Sequence, residues 1–271
     1  TIVCTLPAQL LVMIRHPSFD KYDLTSLRLC YWTGAPLPYH MAVEAEQRLG
    51  CPSLGAYGAM DAGGFCVANI DDPPEVRYLT VGKPLTANEV KIVDEQGKEV
   101  PQGEVGEVMM RGAICQPGYY KNPEAVLKAW GKMGKYGWYR TEDQGKLDAQ
   151  GNLSILGRKT DIIQRAGHAI YPTEIENTLL THPKVLNAVI VPMPDSEVGQ
   201  KACAYVIPKP GEEFTFDEMI SFLKEKGLAL YKLPERLEIR DKFPMSGDGL
   251  KIMKKALAED VTLELKREGK I

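Results

Sequence analysis

Apolar positions in the first half of the chain fall into two periods. LPAQLLVMIR at 6–15 carries them at helical spacing and stops before His16-Pro17, because a proline disfavours the helical region for the residue that precedes it. Residues 27–32 read as a buried strand that runs into Thr33-Gly34-Ala35-Pro36-Leu37-Pro38, and the helical period resumes over 39–49. Strand, Gly-Pro turn and helix make one parallel α/β step. SLGAY at 53–57 then enters GAMDAGG at 58–64, a glycine-dense turn whose backbone can come close to a ligand.

From about residue 76 the pattern turns to β. EVKIVD at 89–94 and GEVMMR at 106–111 alternate in the strand period around a turn at 95–98, which predicts a small antiparallel barrel or sheet. Asn122-Pro123-Glu124 starts a helix to about Trp130, with proline in the first turn. Residues 138–143 and a hairpin over 147–155 close this part. Farther on, Tyr171-Pro172-Thr173-Glu174 opens a helix with acid in its first turn. Strands follow at 188–191 and 202–207, then a helix over 216–226 and a strand near 236–240. This second part is an α+β unit of about a hundred residues, enough to fold alone.

Composition narrows the partners. In 271 residues, 33 basic side chains face 36 acidic ones, so bulk charge selects neither nucleic acid nor an anionic membrane. The absence of a long apolar run or a secretory pattern predicts no membrane span and a cytoplasmic protein. Six cysteines lie far apart without a CxxC pair and read as reduced thiols. The length suggests two domains.

Between the two parts lies GRKTDIIQRAGHAIYPTEIE, residues 157–176. Arg158, Lys159, Asp161 and Arg165 place charge beside two glycines, which suits either a solvated interdomain loop or a hinge whose side chains stay near a polyanion. The order of residues resembles the linker motif of the adenylate-forming superfamily, which holds acyl- and aryl-CoA synthetases, aryl-AMP ligases, adenylation domains and luciferases. Four further segments match that family's motifs in the family's order, and order plus spacing carries what each piece alone would not.

The resemblance implies a role for each matched position. The turn with Gly34, Ala35 and Pro36 is similar to the loop that flanks adenine; by itself it would read as an ordinary strand-to-helix turn. Tyr57-Gly58-Ala59-Met60-Asp61 resembles the aromatic-Gly-x-Thr-Glu motif, where a hydroxyl meets phosphate and a carboxylate helps hold Mg2+. Met60 replaces the threonine, and Asp61 keeps the hard oxygen ligand on an arm one methylene shorter. Dihydroxybenzoate-AMP ligases also lack that threonine, which makes aryl acids attractive as substrates, and the block GLALYKLP at 227–234 resembles dihydroxybenzoate-activating enzymes. Tyr139-Arg140-Thr141-Glu142-Asp143 is similar to the segment whose aspartate accepts from both ribose hydroxyls, with Glu142 in place of a usual glycine. Without the other motifs Asp143 could equally be a surface acid. Arg158 would reach ribose or phosphates as a fixed cation, Thr160 maps to the pivot, and Gly167 is the second glycine of the pair beside the thiol tunnel, with Ala166 in place of the first. FPMSGDGLKIMKKAL at 243–257 resembles the C-terminal motif whose lysine, here Lys251, bridges the carboxylate and the α-phosphate. Leu250 intrudes in that motif and leaves Lys254 as an alternative register; composition alone would make these lysines a solvated basic helix start.

No Ser/Thr/Gly-rich phosphate loop and no GxxxxGK[ST] occurs in residues 1–271. The expectation is therefore a C-terminal part of a synthetase, inactive alone: the end of a large α/β domain with a small β-barrel (1–157), a hinge (158–167) and a small α+β domain (168–271). The intact enzyme would use ATP, Mg2+ and a carboxylic acid to form an acyl-adenylate. It would then pass the acyl group to coenzyme A or to carrier-protein phosphopantetheine. A non-catalytic module retaining the fold is the alternative from another class.

Overall fold

The computed structural model describes residues 1–116, 118–131, 137–247 and 252–271. The chain divides into two compact units, Thr1–Leu156 and Gly157–Ile271.

The first unit opens with β1 (Ile2–Thr5), α1 (Pro7–Ile14), β2 (Leu29–Trp32), α2 (Tyr39–Leu49) and β3 (Ser53–Ala59). Here β1, β2 and β3 lie side by side and parallel, as the strand-turn-helix reading requires. The helical stripes bury Leu10 and Ile14 on α1, and Met41, Ala42, Ala45 and Leu49 on α2. Then β4 (Gly63–Val67) turns back antiparallel to β3, and β5 (Lys83–Pro84) completes the order β1-β2-β3-β4-β5. Between β4 and β5 the chain forms α3 (Pro74–Leu79), so the β pattern expected from residue 76 begins later. Six residues are too few for a helical period to show, and the Pro73-Pro74 start supplies the missing signal.

A second sheet follows: β6 (Asn88–Val93), β7 (Gly106–Gly112), α4 (Pro123–Trp130), β8 (Tyr139–Leu147) and β9 (Leu153–Arg158), with strand order β6-β7-β8-β9. Among the described residues this sheet is open, where a small barrel was an option. Four strands do not wrap around a core; they cover one with a single face. Ile92, Val108, Met110, Tyr139 and Leu153 form that face and pack with Phe65 and Cys66 of β4 and with Trp130 of α4. Asn122 caps α4 by accepting from the Ala125 N–H at 3.1 Å.

In the second unit, β10 (Ile163–Arg165), β11 (His168–Ile170), α5 (Pro172–Leu179), β12 (Val185–Asp195), β13 (Gly199–Pro208), α6 (Phe216–Glu225), β14 (Arg236–Ile239) and α7 (Lys254–Arg267) follow one another. The sheet order is β11-β10-β13-β12, with β14 parallel to β13. Alternate residues of β12 and β13 enter two different cores. Ala188, Ile190, Ala202, Ala204 and Val206 pack under α5 and α6, while Val189, Val191, Met193, Cys203 and Tyr205 pack under α7. Helices on both faces explain why these strands read as continuous apolar runs. All six cysteines are free, and burial pushes the thiols of Cys30, Cys66 and Cys203 up to about 12. No described helix is long and apolar enough to cross a membrane.

Candidate active site

In an open α/β sheet, ligands sit beyond the carboxyl ends of the parallel strands. Two predicted segments occupy that position on neighbouring strands. Gly34, Ala35 and Pro36 follow the end of β2 and are exposed, and Gly34 turns at a φ of 84°, where an added Cβ would lie 2.9 Å from the Leu6 side chain. Tyr57 and Gly58 belong to the far end of β3, and Met60 and Asp61 form the turn into β4. Gly58 has a backbone reason to be glycine: a Cβ would stand 2.4 Å from the Gly63 carbonyl across the hairpin. Met60 is 96% exposed at the tip, and its thioether offers phosphate no hydrogen bond.

Strand β8 brings the third segment to the same place. Tyr139, Thr141 and Asp143 are buried at alternate positions, and Arg140 and Glu142 between them are exposed. Opposite Val108 the β7–β8 register breaks, so that three residues of β8 pass one residue of β7. Glu142 absorbs this bulge at a φ of 60°, which accounts for glycine as the usual residue there. Thr141 ties the bulge down by donating to the Val108 carbonyl at 2.8 Å and accepting from the Asp143 N–H at 3.0 Å. Next to it, Arg140 forms a forked ion pair with Glu107, which is 5% exposed.

The hairpin and β8 hold each other through a reciprocal pair of contacts. Tyr57 Oη donates to Asp143 Oδ2 at 2.5 Å, and Tyr139 Oη donates to Asp61 Oδ2 at 3.1 Å. Tyr119 stands beside them. Burial first, and then its hydrogen bond to Asp61, raise its phenol above the ordinary value. Trp130 packs against both phenols, with ring centroids 4.9 Å from Tyr139 and 5.3 Å from Tyr119. Sequence reasoning missed Tyr139 and Tyr119. The signal for Tyr139 was available, since residues 139, 141 and 143 share one face of a strand.

The donor set bears on Mg2+. Among the described residues no three His, Cys, Asp or Glu side chains gather into a metal cage. Magnesium at an ATP site takes one or two carboxylates and completes its shell with phosphate oxygens and water. Asp61, a hard carboxylate at the mouth of the turn, fits that requirement.

The remaining predicted residues lie in the second unit. Arg158 ends β9, and Thr160 sits in a short 3-10 turn, Lys159–Asp161, with its hydroxyl 3.3 Å from Asp161 Oδ1. Gly167 is in a hairpin turn. Arg165 pairs with His168 across Ala166 and Gly167, whose φ values are 48° and 82°, the pattern of a type I′ turn. Residues 163–170 are therefore strands and turn, and of the expected hinge 159–162 and the turn residues 166–167 lie outside the strands. Lys251 lies outside the described residues. Lys254, the alternative register, is the first residue of α7 and pairs with Glu176 Oε1 at 2.7 Å; the same oxygen accepts from the Ile190 N–H at 2.8 Å.

Comparison with known proteins places this geometry. Residues 1–120 match the model of the AMP-binding enzyme family, and residues 174–250 match the AMP-binding enzyme C-terminal domain. Pyochelin synthase PchD of Pseudomonas aeruginosa is 41% identical over 246 residues, which cover 90% of this chain and 44% of that protein. The 2,3-dihydroxybenzoate-AMP ligase of Bacillus subtilis is 35% identical over 266 residues, covering 98% of this chain and 48% of that one. The anthranilate CoA ligase AuaEII, solved with anthranoyl-AMP, superposes with a TM-score of 0.86 at 27% identity over 98% of this chain and 51% of that chain. The chain thus spans a little under half the length of these two curated relatives. Two family models matched in succession, over a fold shared with a ligand-bound relative, show that the chain belongs to the adenylate-forming superfamily of AMP-binding enzymes, where it resembles the aryl acid-AMP ligases.

Proposed function

We propose that the whole polypeptide carrying this sequence activates an aryl carboxylic acid with ATP and then transfers the acyl group to a thiol. The observation that carries this reading is the meeting of Tyr57 with Asp143, and of Tyr139 with Asp61, beyond the carboxyl ends of β2 and β3. In the first step a carboxylate oxygen attacks the α-phosphorus in line, the bond to the bridging oxygen breaks, and pyrophosphate leaves with the electron pair. The acid has then exchanged a poor leaving group for AMP.

Each residue has a part in that step. The backbone at Gly34, Ala35 and Pro36 borders the base, with Tyr57 and Gly58 forming the neighbouring wall. Asp143 accepts from the ribose hydroxyls, a geometry that selects a ribonucleotide. Met60 borders the phosphates through its backbone alone. Asp61 is the protein ligand for Mg2+, which when bound neutralises charge on the phosphate oxygens. Arg158 supplies a fixed cation to ribose or phosphate, and Lys251 offsets the charge that grows on the α-phosphate.

For the second step we assign a pivot at Thr160 between a large domain ending near 157 and a small domain from 168 onward, with Gly167 bordering the path of the thiol. The position of 159–162 outside the strands supports a pivot there. The acceptor is the thiol of coenzyme A or of a carrier protein's phosphopantetheine. An aryl acid is favoured by the names of two relatives, which act on or hold 2,3-dihydroxybenzoate and anthranoyl groups.

The test is acid-dependent exchange of labelled pyrophosphate into ATP, run across aryl and fatty acids. Exchange with an aryl acid at rates well above the fatty acids is expected. A folded polypeptide that exchanges with no acid would be the non-catalytic module instead.

A further inference from the structure

We propose that Tyr139 is a positioning residue: its hydroxyl holds the short Asp61 side chain where a metal bound to nucleotide phosphates can reach it. The proposal rests on the reading of Asp61 as the metal ligand.

An aspartate reaches one methylene less far than a glutamate, and an aspartate at an exposed hairpin tip has rotamers that point elsewhere. Something must choose among them. Tyr139 Oη donates to Asp61 Oδ2 at 3.1 Å from a strand that is itself fixed in the core. Its ring is 7% exposed and wedged against Trp130, so the phenol arrives from one direction only. Tyr119 also packs against Trp130, and after burial a hydrogen bond with the same carboxylate helps raise its phenol. A carboxylate that accepts from phenols on one side keeps its remaining lone pairs oriented for a cation, the arrangement by which hydrogen-bonding partners orient metal ligands.

The pairing also has a reciprocal half. Tyr57 comes from the hairpin that bears Asp61 and donates to Asp143, while Tyr139 comes from the strand that bears Asp143 and donates to Asp61. Each segment thus contributes one tyrosine and one aspartate. The two phenols together set the spacing of the two carboxylates. One rigid clasp then faces both the ribose end and the phosphate end of a nucleotide.

The experiment measures Mn2+ binding in the presence of ATP, by loss of the free-ion electron paramagnetic resonance signal, on the whole polypeptide carrying this sequence. Tyr139→Phe keeps the buried ring and removes only the hydroxyl. It is expected to weaken Mn2+ binding about tenfold, while metal-free ATP binding stays within about twofold. Adding Asp61→Glu to Tyr139→Phe should recover most of that loss, because the longer arm reaches without help. Tyr119→Phe is an independent arm, expected to give a smaller loss in the same direction, and it decides the matter if Tyr139→Phe melts early. Mn2+ affinity unchanged in both phenylalanine variants, with Asp61→Asn strongly weakened, would overturn the positioning role and leave Asp61 as the ligand. If Asp61→Asn also binds Mn2+ normally, the reading of Asp61 fails and the proposal falls with it.

Discussion

Removing Arg77 should unfasten the strand that carries Tyr57. Arg77 lies on α3 at 6% exposure and its guanidinium is fully engaged: Nε donates to the Asp72 carbonyl at 3.0 Å, Nη1 to the Ser53 carbonyl at 2.8 Å and to Glu46, and Nη2 to Glu46 at 3.0 Å. Glu46 on α2 also accepts from the Ser53 N–H at 2.7 Å. One ion pair therefore ties α2 and α3 to the start of β3. Truncating one partner of a buried pair strands the other charge, at a cost of about 3–5 kcal/mol; because Glu46 keeps some solvent access, we expect Arg77→Ala near the lower end, about 3 kcal/mol. Arg77→Lys keeps the charge without the fork and should cost about 1–2 kcal/mol.

The same pair makes a pH signature. Burial works to raise the Glu46 pKa, but hydrogen bonds from Arg77, Tyr78 and the Ser53 N–H outweigh it and leave the carboxyl below its ordinary value. A depressed folded-state pKa gives stability that is full above the unfolded value, about 4.3, and is lost as pH falls through the lower folded value. Urea unfolding of wild type and Arg77→Ala at pH 7 and at pH 3 to 4 checks both parts. The gap between them should be about 3 kcal/mol at pH 7 and should shrink in acid. A gap under about 1 kcal/mol at pH 7, or one that stays constant down to pH 3, would refute the reasoning.

Three further outcomes follow from the second unit. Ala166→Gly should raise its melting temperature, since an alanine at a φ of 48° carries about 1–2 kcal/mol of strain, offset by about 0.5–1 kcal/mol for glycine's entropy; a lower midpoint counts against the turn assignment. Lys254→Ala should destabilise the fold by about 1–2 kcal/mol, because it leaves Glu176 without its charge partner, whereas Lys251→Ala should lower adenylation about a hundredfold. If Lys254→Ala instead abolishes adenylation in a fully stable protein, the motif has been read three residues out of register. Brief trypsin treatment should cut after Arg158 or Lys159 and spare Arg165, which sits in a paired hairpin and bonds Glu235 at 2.7 Å; preferential cutting at Arg165 would move the pivot into the hairpin.

Legibility in the sequence followed how local each determinant is. The runs at 188–191 and 202–207 gave strands because both faces of β12 and β13 are covered, and Asn122-Pro123 gave α4 because a cap and a first-turn proline act within four residues. Order of motifs brought Tyr57, Asp61 and Asp143 forward, and these do gather in one place. What stayed hidden is non-local. Nothing along the chain says that Glu142 sits at a bulge opposite Val108, that Tyr139 reaches a residue 78 positions away, or that Arg77 is an interior charge satisfied by Glu46. Arg165, Ala166 and Gly167 resemble a flexible loop in composition, and only pairing with β13 and β11 makes them strand and turn.

The central claim is attack of a carboxylate on the α-phosphorus of ATP, and oxygen transfer tests it most directly. The whole polypeptide carrying this sequence is incubated with ATP, Mg2+, a thiol acceptor and an aryl acid labelled with oxygen-18 in its carboxylate. Mass analysis of the nucleotide should find one labelled oxygen in AMP and none in pyrophosphate, because the carboxylate oxygen stays with phosphorus when the adenylate is cleaved. Label in inorganic phosphate with ADP as the nucleotide product, or acyl transfer with unlabelled AMP, would contradict the account.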